Sequence, residues 1–136
     1  MAKRTTVENL VLVVDDEAAD RDALQSHLEQ QGYEVMTAAS GREALEQIAA
    51  RCPSAVVLDL GLPDMDAFEV GKTIRGNADR CNPALLFIHP SHPTDTEVFR
   101  GFALGSDWQG VKPVHLDELA TFLARIFKSW EKYSPP

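Results

Sequence analysis

Short unbroken apolar runs recur along the chain at Leu10–Val14, Ala55–Leu58 and Ala84–Ile88. Runs of this length without polar alternation suit strands covered on both faces in a parallel sheet. Residues Glu34, Val35, Met36 and Thr37 are more polar and fit an edge strand, and a fifth strand is expected just before Lys112. Between the runs lie segments with helical spacing: Leu24 and Leu28; Ala44, Leu45, Ile48 and Ala49; Val98, Phe99, Phe102 and Ala103. Ser40 with Glu43 and Thr94 with Glu97 have the spacing of capping boxes, and Gly32 is placed to end the first helix. Leu116, Leu119, Ala120, Leu123, Ile126, Phe127 and Trp130 form one apolar stripe along a long last helix. Five strands alternating with five helices predict a doubly wound α/β sandwich with right-handed crossovers.

With 136 residues, 44% of them hydrophobic and 25% charged, the chain is sized for one domain over 1–136. Its core is expected over about 8–128, with 129–136 as a tail or linker, as in a domain excised from a larger chain. A formal net charge of −8 opposes docking on a phosphate backbone, so nucleic-acid binding by this segment is not expected. The apolar run near the N-terminus is too short for a signal-peptide core or a membrane span, which predicts a soluble cytoplasmic protein. Cys52 and Cys81 lack CxxC spacing and a nearby His cluster, so two reduced thiols are expected rather than a zinc site or a redox pair.

In a doubly wound sheet, ligands bind beyond the carboxyl ends of the strands. Strand one ends in Asp15 and Asp16 and strand three in Asp59, which brings three carboxylates to one rim. Left alone they would repel and raise one another's pKa values, so a hard divalent cation such as Mg²⁺, or a Lys, is needed to balance them. Lys112, after the fifth strand and before Pro113, supplies an ammonium at the same rim. The competing reading makes Asp15 and Asp16 caps on the first helix and Lys112 a solvated side chain; Asp59 on a neighbouring strand weighs against it.

The segments Val13-Val14-Asp15-Asp16-Glu17, Leu58-Asp59-Leu60-Gly61-Leu62-Pro63-Asp64-Met65-Asp66 and Val111-Lys112-Pro113 resemble the motifs of response-regulator receiver domains, in family order across nearly the whole chain. The resemblance implies a flavodoxin-like sheet of order 2-1-3-4-5 and a signalling domain, not an enzyme in its own right, that assists its own phosphorylation. Asp59 would be the phosphoacceptor for a histidine kinase or phosphotransfer protein. Mg²⁺ would be held by Asp16, Asp59 and the backbone carbonyl of Gly61, with Asp15 acting mostly through a metal-bound water. Lys112 would pair with the phosphoryl group, next to a cis bond before Pro113. The output partner, unknown, would dock on the face made by helix 4, strand 5 and helix 5, where Phe99, Phe102 and Trp108 are candidates; burial in the core is the expected fate of the two Phe residues.

Three departures from the family pattern stand out. Receivers usually end strand four in Thr or Ser followed by Ala, and here His89-Pro90 occupies the pair, removing a hydroxyl and a backbone N–H. His89 is read either as a residue that simply ends a strand or as an atypical switch group. An aromatic is usual three residues before the Lys; this chain has Gln109, with Trp108 expected to face the opposite side of the sheet. Ala67 stands where Gly is usual, which would strain the loop if that site needs positive φ. These departures keep an alternative open: a receiver-fold interaction module that signals without phosphorylation. A glycine-rich dinucleotide turn is missing after strand one, and Gly61 stands where an aspartyl phosphatase would need its second Asp.

Overall fold

The computed structural model describes residues 7–133, with side chains described over 9–130. The elements alternate strictly: β1 (Val7–Val14), α1 (Ala18–Gln30), β2 (Glu34–Ala38), α2 (Gly41–Ala50), β3 (Pro53–Asp59), α3 (Ala67–Gly76), β4 (Ala84–His89), α4 (Asp95–Ala103), β5 (Trp108–Val111) and α5 (Leu116–Tyr133). All strands run parallel in the order β2-β1-β3-β4-β5, with β2 at an edge as its polarity predicts.

The apolar runs fill the centre of the sheet. Every residue of β3 and β4 is buried, and the alternation of side chains divides them between two cores. Leu12, Val14, Val56, Leu58, Leu85 and Phe87 face one side with Ala44, Phe68, Val70 and Ile74 of α2 and α3. Val11, Val13, Val57, Leu86 and Ile88 face the other with Leu24 and Leu28 of α1 and Leu119 and Leu123 of α5.

The caps follow the sequence. Thr94 and Glu97 exchange both bonds of a capping box, and Ser40 Oγ accepts from Glu43 N at 3.1 Å, although the Glu43 carboxylate reaches back to Ala39 N instead of Ser40 N. Gly32 follows α1 at φ 96°, the left-handed conformation in which glycine has no side-chain cost.

Four expectations are corrected. Cys52 and Cys81 form a disulfide: they precede the adjacent strands β3 and β4, so their Cα atoms meet at 5.7 Å despite a separation of 29 residues. Ala67 does not occupy a positive-φ position; it is the buried first residue of α3, behind the N-cap Asp66 whose side chain accepts from Phe68 N, so no strain arises there. The helix α5 runs to Tyr133, past the expected start of a tail at 129, while residues 134–136 of that expected tail lie outside the described ones. Phe99 and Phe102, expected in the core, are 75% and 53% exposed. The helix α4 instead packs through Gly101, where a Cβ would overlap the Gln109 side chain, and this turns both rings outward.

Candidate functional site

The site is built at the C-terminal rim of β1, β3 and β5. Asp15 continues β1, donating its N–H to Ala38 O at 3.1 Å, and Asp59 is the last residue of β3. Both carboxylates are buried, each residue 2% exposed, while Asp16 is exposed. One oxygen from each of Asp15, Asp16 and Asp59 can be chosen so that all three lie within 4.8 Å of one another. Oxygen donors this close, from three anionic side chains, match the preferences of a hard divalent cation.

Lys112 reaches this cluster from the end of β5. Its Nζ lies 3.2 Å from Asp15 Oδ2, 3.2 Å from Asp59 Oδ2 and 3.1 Å from Asp20 Oδ2. Its backbone N donates to His89 O at 3.0 Å, and the Lys112–Pro113 peptide is cis, as the resemblance implies. The sequence reading did not single out Asp20. The signal was its position one helical turn after Asp16, in the first turn of α1, which directs it to the same rim.

Backbone groups hold the two buried carboxylates. Gly61 N donates to Asp59 Oδ1 at 2.9 Å and Glu17 N to Asp15 Oδ1 at 2.9 Å. Asp15 therefore does bind a backbone amide ahead of α1, but the N-cap position itself belongs to Glu17. Gly61 is tightly fitted, since an added Cβ would lie 3.2 Å from Pro90 and 3.4 Å from Asp59 Oδ1. Asp64 and Asp66 of the same loop serve the framework. Asp64 accepts from Gly41 N and Arg42 N at the start of α2, at 3.0 and 3.1 Å, and those amides hold its pKa down.

Electrostatics distinguish Asp59. Burial raises its pKa to about 6, the Asp15 charge adds to this, and the Gly61 amide and Lys112 only partly oppose it. Burial depresses Lys112, yet hydrogen bonding to Asp20 and the charges of Asp59 and Asp15 outweigh it and raise its pKa overall. Asp20 is lowered by its bond to Lys112, and Glu17 is raised by its bond to Asp20. Asp15, Asp20 and Asp59 thus share one ammonium with Asp16 close by, an excess of negative charge that a divalent cation would offset.

The departures gather on the β4–β5 side of the same rim. His89 is 3% exposed, and its Nε2 lies 2.6 Å from Gln109 Oε1. Gln109 Nε2 donates to Val98 O in α4 at 2.9 Å and to Ser106 Oγ at 3.1 Å. Trp108 faces the other side of the sheet, as expected, with its ring centroid 6.5 Å from that of Phe122.

Comparison with known proteins agrees with this geometry. The profile of the response regulator receiver domain matches residues 11–124. The chain belongs to the response-regulator receiver family. This receiver domain is 40% identical over 116 residues to the response regulator MprA of Mycolicibacterium vanbaalenii, covering 85% of this chain and 48% of that protein. It spans about half the length of the curated relatives it matches. The chemotaxis response regulator CheY4 of Vibrio cholerae superposes with a TM-score of 0.77 at 31% identity, over 86% of this chain and 97% of that one. A CheY-like receiver of Methanospirillum hungatei shares the fold, with a TM-score of 0.83 at 23% identity over 98% of this chain and 100% of that one. The receiver is a signalling domain of two-component systems. Among the described residues no helix is long and apolar enough to cross a membrane.

Proposed function

We propose that this receiver accepts a phosphoryl group from the phosphohistidine of a histidine kinase or phosphotransfer protein. A carboxylate oxygen of Asp59 attacks phosphorus, the P–N bond to the donor imidazole breaks, and an aspartyl phosphate remains as the signalling state. The observation that carries this reading is Lys112 Nζ bridging the buried carboxylates of Asp15 and Asp59 beside Asp16. Asp15, Asp16, Asp59 and the Gly61 carbonyl would hold Mg²⁺, which when bound supplies positive charge against the transferring oxygens. Lys112 sits within reach of both partners of that charge and orients the phosphoryl group as a compact cation. The excess of buried negative charge has no evident structural return, which favours a site selected for chemistry.

The test is incubation with Mg²⁺ and acetyl phosphate, followed by intact mass measurement. Gain of one phosphoryl group in wild type and none in Asp59→Asn is expected; no gain in wild type would reject the reading.

One observation favours a second reading, signalling without phosphorylation. The His89 ring is already bonded to Gln109, and Pro90 offers no N–H, so two groups able to stabilise a phosphoryl oxygen are missing from that side. On this reading wild type and Asp59→Asn behave alike toward acetyl phosphate and bind the same partner equally well.

A further inference from the structure

Cys52 and Cys81 lie at the N-terminal rim of the sheet, opposite the carboxylate site. Each stands three residues ahead of a register pair, Ala55 beside Ala84, so the adjacent parallel strands bring the two backbones together whether or not a bond forms. Their Cα separation of 5.7 Å falls inside the range that a disulfide spans without backbone movement. The chain between them returns through the α3–β4 connection, residues 77–83. Asp59 ends the same strand that follows Cys52, roughly 20 Å away at about 3.3 Å per residue.

The surroundings hold both cysteines in place without the bond. Cys52 follows Arg51, whose N–H donates to Gln47 O at the end of α2 and whose guanidinium donates to Glu34 of β2 at 2.9 Å. Cys81 closes a turn in which its own N–H and that of Arg80 donate to Asn77 O. Arg75 ties this turn down: its Nη1 donates to Asn82 Oδ1 at 3.0 Å and to Pro83 O at 2.8 Å, and its Nη2 to Gly105 O and Asp107 Oδ2. The strands that follow are buried along their full length. Reduction would therefore leave two thiols within reach of each other on an intact core. The bond is also accessible, because Cys52 is only partly buried and residues 76–80 and Asn82, beside Cys81, are exposed. A disulfide with a structural duty alone would be closed to external thiols and required by its neighbours.

We propose that Cys52 and Cys81 form a reversible thiol–disulfide site that exchanges with low-molecular-weight disulfides and thiols in the folded domain, and that its oxidation clamps the α3–β4 connection to the start of β3. Cys52, the more exposed of the two, enters first: its thiolate attacks a small disulfide, whose S–S bond breaks as a mixed disulfide forms and one small thiolate leaves. The Cys81 thiolate then attacks Cys52 Sγ and displaces the second small thiolate. Two protein thiols are oxidised, one small disulfide is reduced to two thiols, and the two protons lost by the protein pass to them. Reduction runs the same steps backwards. The oxidised form cross-links residues separated by 29 positions, which restricts the unfolded chain and should raise the folding equilibrium constant by about 10²-fold. No step involves Asp59 or Lys112, so the site is independent of the phosphoacceptor reading.

Equilibration of the full chain, without denaturant, in buffers of graded reduced and oxidised glutathione tests the site, with thiols trapped by N-ethylmaleimide and counted by intact mass. A single transition between two labels and none is expected, reached from either direction, with the domain folded throughout. Cys81→Ser should instead stop at one glutathione on Cys52. Urea unfolding of wild type with and without reductant should show the stability gain of about 10²-fold in the oxidised form. A bond that opens only after denaturant is added, thiols that fail to pair in the oxidising buffers, or a stable glutathione adduct in wild type would each overturn the site. So would a domain that unfolds on reduction, a Cys81→Ser chain that takes up no glutathione, or a stability gain under about threefold.

Discussion

The rim of the sheet has two halves that differ in kind. On the β1–β3 side, Asp15, Asp16 and Asp59 with Lys112 form a cluster in which charge dominates, and every one of them fits the family pattern. On the β4–β5 side, His89, Pro90 and Gln109 depart from it, and side-chain hydrogen bonds stand where the family pattern has a hydroxyl and an aromatic ring. On the proposed reading, the first half would decide whether a phosphoryl group is accepted, because attack and charge balance would fall there. On the same reading, the second would bear on how long the product lasts. The difference teaches that the two halves are separable in sequence, since one departs from the family pattern while the other keeps its charges.

The largest expected effect falls on the charged half. Lys112→Met removes the cation shared by three carboxylates and should slow phosphorylation by acetyl phosphate by about 10²-fold. Phosphorylation rates measured by quenched mass spectrometry check this; a loss under about threefold would move the chemistry away from Lys112.

Next comes a stability effect with a defined sign. The pKa of Asp59 is raised in the fold to about 6 from 3.8, so its favourable contribution is complete below the lower value and is lost as pH rises through the upper one. Without Mg²⁺ at about pH 7, Asp59→Asn should therefore stabilise the domain by about 1–3 kcal/mol in urea unfolding. The gain should fade toward about pH 4, and Mg²⁺ should reduce it by stabilising wild type alone. A destabilised Asp59→Asn at neutral pH would show that this carboxylate is fully compensated.

The β4–β5 half gives a smaller effect. His89→Thr restores a hydroxyl but leaves Pro90 without an N–H, so the phosphorylated lifetime should lengthen only about two- to fivefold. A lifetime prolonged well beyond that would remove the role assigned to Pro90. Smallest of all is Asp20→Asn: Asp20 competes for Lys112 but its side chain is 44% exposed, so phosphorylation should rise by about twofold or less. A clear fall would instead make Asp20 a group that positions Lys112.

The sheet and the charged half were legible in the sequence because both are written locally. Apolar runs such as Ala84–Ile88 mark strands buried on two faces, and Asp15, Asp16, Asp59 and Lys112 stand at the strand ends. What escaped depends on distances between elements. The Cys52–Cys81 disulfide arises because β3 and β4 start side by side, which residue spacing does not encode. The outward turn of Phe99 and Phe102 depends on Gly101 meeting Gln109, so the helical stripe alone pointed the wrong way. His89 and Gln109 each stood out as departures, but their bond follows from the register of β4 beside β5.

The most direct measurement is the address of the phosphoryl group. Borohydride trapping of the phosphorylated domain, followed by peptide mass spectrometry, should convert residue 59 alone to homoserine. Homoserine at any other aspartate, or no conversion in a domain that has taken up phosphate, would contradict the account.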